Sequence, residues 1–384
     1  MSELRPHAIA ADRVFDGSVV HHDAAVVIEG ARIIKLIPRA TLDSSIATHA
    51  LSPDAWLAPG FIDIQVNGGG DVLFNETPTP EGIATIVAAH RRFGTTALLP
   101  TLITDSDQKM SRALEAVQVM VEREPGVLGI HLEGPFLSPQ KPGVHHPGFI
   151  RRPETHHAAM LTSLREGVTL VTLAPEEVPQ SFVTALTVKG VKVALGHSMA
   201  TYKQTHAAMA EGLTGFTHLF NAMRPLESRE PGPIAAALES KAAWYSLIVD
   251  GVHVDPAMLR LALQGRGHAM LVTDAMPPVG GALTQFALYG NEITTRNGQC
   301  TAKDGRLAGS AIDMATAVRN CTRLLKLPLP DALRMASREP ASFLGLGDRL
   351  GRLAPGYRAD LVAFDPGPVT VTATWVAGRY HASS

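Results

Sequence analysis

TALLPTLITDSDQKMSRALEAVQVMVEREPGVLGIHLEGP, residues 96–135, places an apolar run (Thr96–Leu102), an amphipathic stretch (Asp107–Arg123) and a second apolar run (Val127–Leu132) in succession. The middle stretch repeats its apolar residues at intervals of three and four, the spacing of one helical face. The run after it ends in Glu133-Gly134-Pro135, polar and turn-forming. A strand, a helix and a strand in this order predict a parallel pair with a helical crossover.

The same rhythm extends in both directions. Apolar runs recur at Phe61–Val66, Val168–Leu173, Val191–Leu195, Gly215–Leu219, Tyr245–Val249 and Ala269–Val272, making eight with the two above. Amphipathic stretches fall between them at Pro80–Phe93, Glu176–Lys189, Thr201–Glu211 and Pro256–Gln264, and two more, Met314–Leu325 and Asp331–Phe343, follow. Near-continuous apolar strands that alternate with helices belong to a parallel sheet covered on both faces. Eight such units predict an α/β fold, a closed (β/α)8 TIM barrel, over residues 58–355. Short apolar runs can equally be buried helix, so the barrel reading turns on the count.

The two ends read differently. Val26-Val27-Ile28 and Ile33-Ile34 lie among turn dipeptides such as Asp16-Gly17 and Glu29-Gly30, and Asp360–Phe364 and Val369–Val376 look alike near the other terminus. Termini of one domain often lie close together. Residues 1–57 and 356–384 are therefore expected to pair into a small β-sandwich domain, with the barrel inserted between its halves.

Composition removes several functions. Of 384 residues, 34 are Lys or Arg and 36 Asp or Glu, a formal charge of −2, with no long basic cluster to hold a nucleic acid. Residues 1–20 carry Arg5, Asp12, Arg13 and Asp16 and no apolar leader, and no run reaches a membrane span. Two cysteines suffice for neither a disulfide framework nor a cysteine zinc site. A cytoplasmic protein without membrane or nucleic-acid partners is expected.

In a barrel of this kind function collects where the strands end. The unusual residues fall there: Gln65 and Asn67, His131 and Glu133, His197, His218 and Asn221, Asp250 and His253, and Asp274. Glu133, His197 and His218 offer two imidazoles and a carboxylate, which suit a divalent cation such as Zn2+ with one position left open. A lone His after an apolar run is more often a satisfied core residue; three donors on one rim reverse that preference. His131 shares the face of Glu133 and could support the site instead of ligating. Asp274 reads either as a helix N-cap or as a general base that takes a proton from water and returns it to a leaving group.

Other residues keep two readings. His145 and His146, in a Gly/Pro-rich loop, are solvated surface residues or polarise an oxyanion. Gly68-Gly69-Gly70 lacks the spacing of a phosphate or dinucleotide loop and is read as a tight turn. Leu307-Ala308-Gly309-Ser310 either N-caps a helix through Ser310 or floors a ligand site. Arg229 is the best single anion-binding candidate, against the plainer reading of a solvated arginine.

Taken in order, His131-Leu132-Glu133-Gly134-Pro135-Phe136, Gly196-His197-Ser198, Thr217–Met223, Arg229–Gly232, Asp250–His253 and Val272–Ala275 resemble the N-acetylglucosamine-6-phosphate deacetylase family of the amidohydrolase superfamily. The resemblance runs from about Leu57 to about Gly356. It implies hydrolysis of an N-acetyl amino-sugar 6-phosphate to the free amine and acetate. Carried over by position, Glu133, His197 and His218 would hold the metal, Asp274 would be the acid/base, and His145 would help polarise the acetamide. Val144, Asn221, Ala222, Asp250 to His253, and Leu307, Ala308 and Gly309 would bind the sugar. Arg229 and His253 match a phosphate-binding pair that reaches the neighbouring subunit, which implies a homodimer. Gln65 and Asn67 stand where many amidohydrolases carry a His-x-His pair for a second metal; amides ligate zinc poorly, so one divalent ion per subunit is expected, Zn2+ first, with Fe2+ or Mn2+ compatible. Alternatives are a relative acting on N-acetylgalactosamine 6-phosphate or a cyclic amide, or a non-catalytic scaffold, which would be expected to have lost one of Glu133, His197, His218 or Asp274.

Overall fold

The computed structural model describes residues 5–382. All eight apolar runs are strands: β1 Phe61–Val66, β2 Thr95–Ile103, β3 Gly129–Glu133, β4 Val168–Leu173, β5 Lys192–Leu195, β6 Gly215–Phe216, β7 Trp244–Ile248 and β8 His268–Val272. They form one sheet in sequence order, with parallel register throughout β2 to β8. The sheet closes on itself between the end of β1 and the residues just past β8, where the Asp274 N–H donates to the Gln65 carbonyl at 3.0 Å and Val66 bridges Ala275 in parallel.

Helices lie at Pro80–Arg91, Asp107–Arg123, Gln180–Thr187, Tyr202–Ala210 and Pro256–Ala262, as the spacing predicts. Two more, Thr155–Leu161 and Gly232–Glu239, escape it. The first is barely two turns, and the second opens on Gly-Pro, which reads as loop. The stretch expected as one helix over Asp331–Phe343 is two, Leu329–Ala336 and Arg338–Phe343, broken at Ser337 with φ −135°. Pro340 has no N–H, and its ring would collide with the carbonyl four residues back in a continuous helix.

The terminal strands pair across the whole length of the chain. Leu361–Asp365 runs antiparallel to Trp56–Pro59, and the order continues through His7–Phe15, Val20–Glu29 and Arg32–Pro38 on one side and Thr370–Val376 and Arg379–Ala382 on the other. Alternation buries both faces: Ile9, Val26, Leu57, Leu361 and Trp375 share one core, Ala8, Ala10, Ala25 and Val27 the other. Backbone contacts group residues 313–355 with this sheet, whereas the barrel was expected to extend to residue 355. Arg319 donates to the Pro368 carbonyl at 3.0 Å and Leu353 packs into the same core, which accounts for the shift.

One element was not anticipated. Gln285–Leu288, Asn291–Arg296, Gln299–Ala302 and Leu307–Ser310 form a four-stranded antiparallel sheet over a core of Leu73, Ile103, Met276, Ile293, Cys300 and Ala308. Ser310 is thus a strand residue, and the cap it was offered for belongs to Asp313, whose carboxylate accepts from the Thr316 N–H. Of the three glycines read as a tight turn, Gly68 and Gly69 form a short strand paired with Val72–Leu73, and only Gly70, with Asp71, makes the turn between them. Among the described residues no helix is long and apolar enough to cross a membrane.

The strand that joins the two ends gives a stability test. Leu361 is fully buried at the centre of the terminal core. Leu361→Ala should lower unfolding free energy by about 2–5 kcal/mol, the usual cost of such a cavity, as read by denaturant titration.

Candidate metal centre and active site

Three of the candidate residues sit where the backbone turns abruptly at a strand end. His197, His218 and Asp274 have φ of +48°, +33° and +53°, in the left-handed region that is uncommon for residues with a side chain. Each is held there by a neighbouring strand or loop. The His218 N–H donates to Ser246 Oγ at 2.7 Å, the Ser198 N–H to the Ala222 carbonyl at 3.0 Å, and the Asp274 N–H to Gln65 of the closing strand. The turns swing these side chains back over the mouth of the barrel.

There Glu133, His197 and His218 meet, all buried. Glu133 Oε1 lies 3.1 Å from His197 Nε2 and 2.9 Å from His218 Nε2, and the two nitrogens are 3.2 Å apart. His197 Nδ1 lies 2.9 Å from the Lys141 carbonyl, which can only accept, so the ring proton is on Nδ1 and Nε2 presents a lone pair. Three electron-pair donors converge with room for a single proton among them, and a divalent cation would satisfy all three together. Burial alone would favour the neutral acid at Glu133, but the two imidazoles hold its pKa well below the usual carboxylate range.

A second group, Asp107, His156 and His157, has the same residue types and the opposite chemistry. His157 Nδ1 accepts from the Glu154 N–H at 2.7 Å, so its Nε2 carries the proton and donates to Asp107 Oδ1 at 3.1 Å. Arg151 donates to that same oxygen. Donors already fill this carboxylate, and no cation is needed.

Asp274 stands beside the first group. Its Oδ1 accepts from Asn67 Nδ2 at 2.6 Å and from Gln65 Nε2 at 3.3 Å, and Gln65 Nε2 also lies 3.2 Å from Glu133 Oε2. Burial, then the charge of Glu133, raises its pKa. It caps no helix. His145 is buried, with Nδ1 2.7 Å from Thr104 Oγ1 and its ring 4.4 Å from that of His197. Burial, reinforced by His197, lowers its pKa to about 3. His146 parts from it, accepting from the Gly148 N–H and capping the short turn Pro147–Phe149. His131 bonds Thr172 and Thr101 and stays out of the ligand set.

Around these groups lies a cavity of about 440 Å3. Asn67, Val144, Asn221, Ala222, His253, Leu307 and Gly309 line it with the residues above. Four expected residues do not. Ala308 alternates away from Leu307 and Gly309, so its side chain is buried in the apolar cluster beneath the small sheet. Gln65 is buried behind Asp274, and Asp250 acts through His253, whose Nδ1 is 2.6 Å from its carboxylate. Arg229 is exposed on its loop. His253, expected to serve a neighbouring subunit, opens onto this chain's own cavity. Lys141, Thr104 and Arg306 were missed: Arg306 reaches in from the small sheet and donates to the Gly143 carbonyl at 2.7 Å. The polar residues that follow β2, Thr104-Asp105-Ser106, mark a strand end but do not single out Thr104.

A sequence model described as the Amidohydrolase family matches residues 56–380. An N-acetylgalactosamine-6-phosphate deacetylase of Shewanella sp. (strain ANA-3) is 42% identical over 326 residues, 84% of this chain and 82% of its own. An N-acetylglucosamine-6-phosphate deacetylase of Haemophilus influenzae is 34% identical over 366 residues, 94% of this chain and 95% of its own. The crystal structure of N-acetylglucosamine-6-phosphate deacetylase from Pasteurella multocida superposes with a TM-score of 0.95 at 33% identity, covering 98% of this chain and 100% of that one.

The contrast between the two clusters is testable by metal analysis. After loading with Zn2+ and exhaustive dialysis, the parent and Asp107→Asn should retain the ion, while His197→Ala and Glu133→Ala should lose it.

Proposed function

Because the chain belongs to the amidohydrolase family, we propose that it is a metal-dependent hydrolase that removes the acetyl group from N-acetyl-D-glucosamine 6-phosphate, yielding D-glucosamine 6-phosphate and acetate. One observation carries this reading: the converging triad of Glu133, His197 and His218 lies beside an aspartate held by two amides in a single cavity. Relatives matched across nearly the whole chain, one by sequence and one by fold, bear that activity in their names. A second reading, action on N-acetyl-D-galactosamine 6-phosphate, is favoured by the 42% identical relative.

The three triad residues would hold one divalent cation, with Zn2+ the best match to two imidazoles and a carboxylate and Fe2+ or Mn2+ compatible. When bound, such an ion acidifies water and draws charge from a carbonyl oxygen. Asp274 then has two duties. It accepts a proton from the water that attacks the acetamide carbon, and it gives that proton to the sugar nitrogen as the C–N bond breaks. One water is consumed and acetate leaves. Asn67 and Gln65 keep the Asp274 carboxylate oriented between these duties. Their amide N–H groups occupy the side of Asp274 that a second ion would need, which supports a single-ion site. His145 hydrogen-bonds the carbonyl oxygen as negative charge grows on it.

Asn221, Ala222, Val144, Leu307 and Gly309 would form the walls that receive the sugar. At the anionic end His253, held by Asp250, acts from within this chain. Arg229, exposed outside its own cavity, would complete the phosphate site of a second subunit in a homodimer.

Two outcomes test the reading. Asp274→Asn should lower kcat by about 100–10,000-fold with KM little changed, as acetate release reports. Arg229→Ala should raise KM for either phosphorylated sugar by about 10–100-fold and leave an unphosphorylated amide unaffected. Comparison of kcat/KM on the two sugar phosphates decides between the readings, and chelated protein that releases acetate as fast as metal-loaded protein would defeat both.

A further inference from the structure

Thr104 follows β2 and is nearly inaccessible, at 1% exposure. Its hydroxyl has one proton and two acceptors within reach, His145 Nδ1 at 2.7 Å and the Glu133 carbonyl at 3.2 Å. A neutral imidazole also has one ring proton. The two groups therefore choose between two arrangements. In one, Thr104 donates to Nδ1 and the ring proton is on Nε2. In the other, Nδ1–H donates to Thr104, the hydroxyl turns to Glu133, and Nε2 is bare.

The surroundings are built around that hydroxyl. A Cβ on Gly134 would fall 2.1 Å from Thr104 Oγ1, and Gly134 has φ +88°, so only glycine leaves the hydroxyl its space. The Tyr289 hydroxyl, reaching over from the small four-stranded sheet, donates to the Thr104 carbonyl and fixes the backbone from the other side. His145 has its ring against His197 and lines the cavity. The nitrogen opposite Thr104 is then the one left for a ligand.

We propose that Thr104 is a positioning residue for the reaction: its hydroxyl donates to His145 Nδ1 and so fixes the ring proton on Nε2, making His145 a donor to the carbonyl oxygen that accumulates charge. Both arrangements keep the 2.7 Å contact, and what separates them is which nitrogen faces the cavity with a proton. A bare Nε2 would instead oppose a carbonyl oxygen lone pair to lone pair. This inference rests on the deacetylase reading, which supplies the carbonyl oxygen that Nε2–H would meet.

Thr104→Val keeps the shape and removes the proton; Thr104→Ser keeps the proton. With metal-loaded protein, Thr104→Val should lower kcat by about 10–100-fold, as loss of an orienting partner does, with KM and melting temperature near the parent, and Thr104→Ser should recover most of the rate. In 15N-histidine-labelled protein, with the His145 signals assigned by their loss in His145→Gln, Nε2 should be the protonated nitrogen in the parent and in Thr104→Ser. Thr104→Val should lose that single-tautomer signature. A parent His145 protonated on Nδ1, or a Thr104→Val variant with parental kcat, overturns the proposal. A parent that releases no acetate from either sugar phosphate overturns the deacetylase reading instead, and the nitrogen shifts still decide the role of Thr104.

Discussion

Closure of the barrel between β1 and β8 is the constraint on which the site depends. The Asp274 N–H reaches the Gln65 carbonyl, and the Asn67 and Gly68 N–H groups reach the Ala275 carbonyl at 2.9 Å, so the residues just past the last strand are tied to the end of the first. The same tie brings the amides of Gln65 and Asn67 onto the Asp274 carboxylate. An open sheet with identical strands would leave Asp274 at one edge and its amides at the other. Architecture and chemistry meet in one pair of residues, 209 positions apart in sequence.

The backbone conformations at the rim belong to the same constraint. His197, His218 and Asp274 all occupy the left-handed region, at an expense of about 1–3 kcal/mol each. Hydrogen bonds from adjacent strands and loops hold each turn: Ser246 for His218, Ala222 beside His197, and Ser310, whose N–H donates to the Asp274 carbonyl at 2.9 Å. Glu133 needs no such turn, because the end of β3 already directs it inward among the two imidazoles. The triad is thus assembled from one residue inside a strand and two just past their strands.

What the sequence discloses follows from which interactions are local. The strands of the barrel are legible because burial on both faces leaves near-continuous apolar runs, and Glu133, His197, His218 and Asp274 stand out as the polar residues that end them. The small sheet at 285–310 carried a signal too: Tyr289-Gly290, Asn297-Gly298 and Asp304-Gly305 are hairpin turn pairs spaced seven or eight residues apart. Its strands are only four to six residues long and mixed in character, so the runs themselves say little. Thr104 and Lys141 were invisible for another reason. Their parts are played by one hydroxyl and one carbonyl, against imidazoles from distant positions, and no pattern in residue type marks either.

Comparison of the two His/Asp/Glu clusters shows why proximity of metal-ligating residue types is weak information until protons are placed. His157 and His197 each have one nitrogen committed to the backbone, yet with opposite results. His157 accepts an N–H there and so presents a proton to Asp107; His197 donates to a carbonyl there and so presents a lone pair to Glu133. Arg151 adds a further donor to the first cluster, whereas among the described residues no lysine or arginine is paired with the Glu133 carboxylate. The backbone partner of one imidazole nitrogen therefore decides whether a carboxylate and two histidines make an ion-paired surface knot or a seat for a cation.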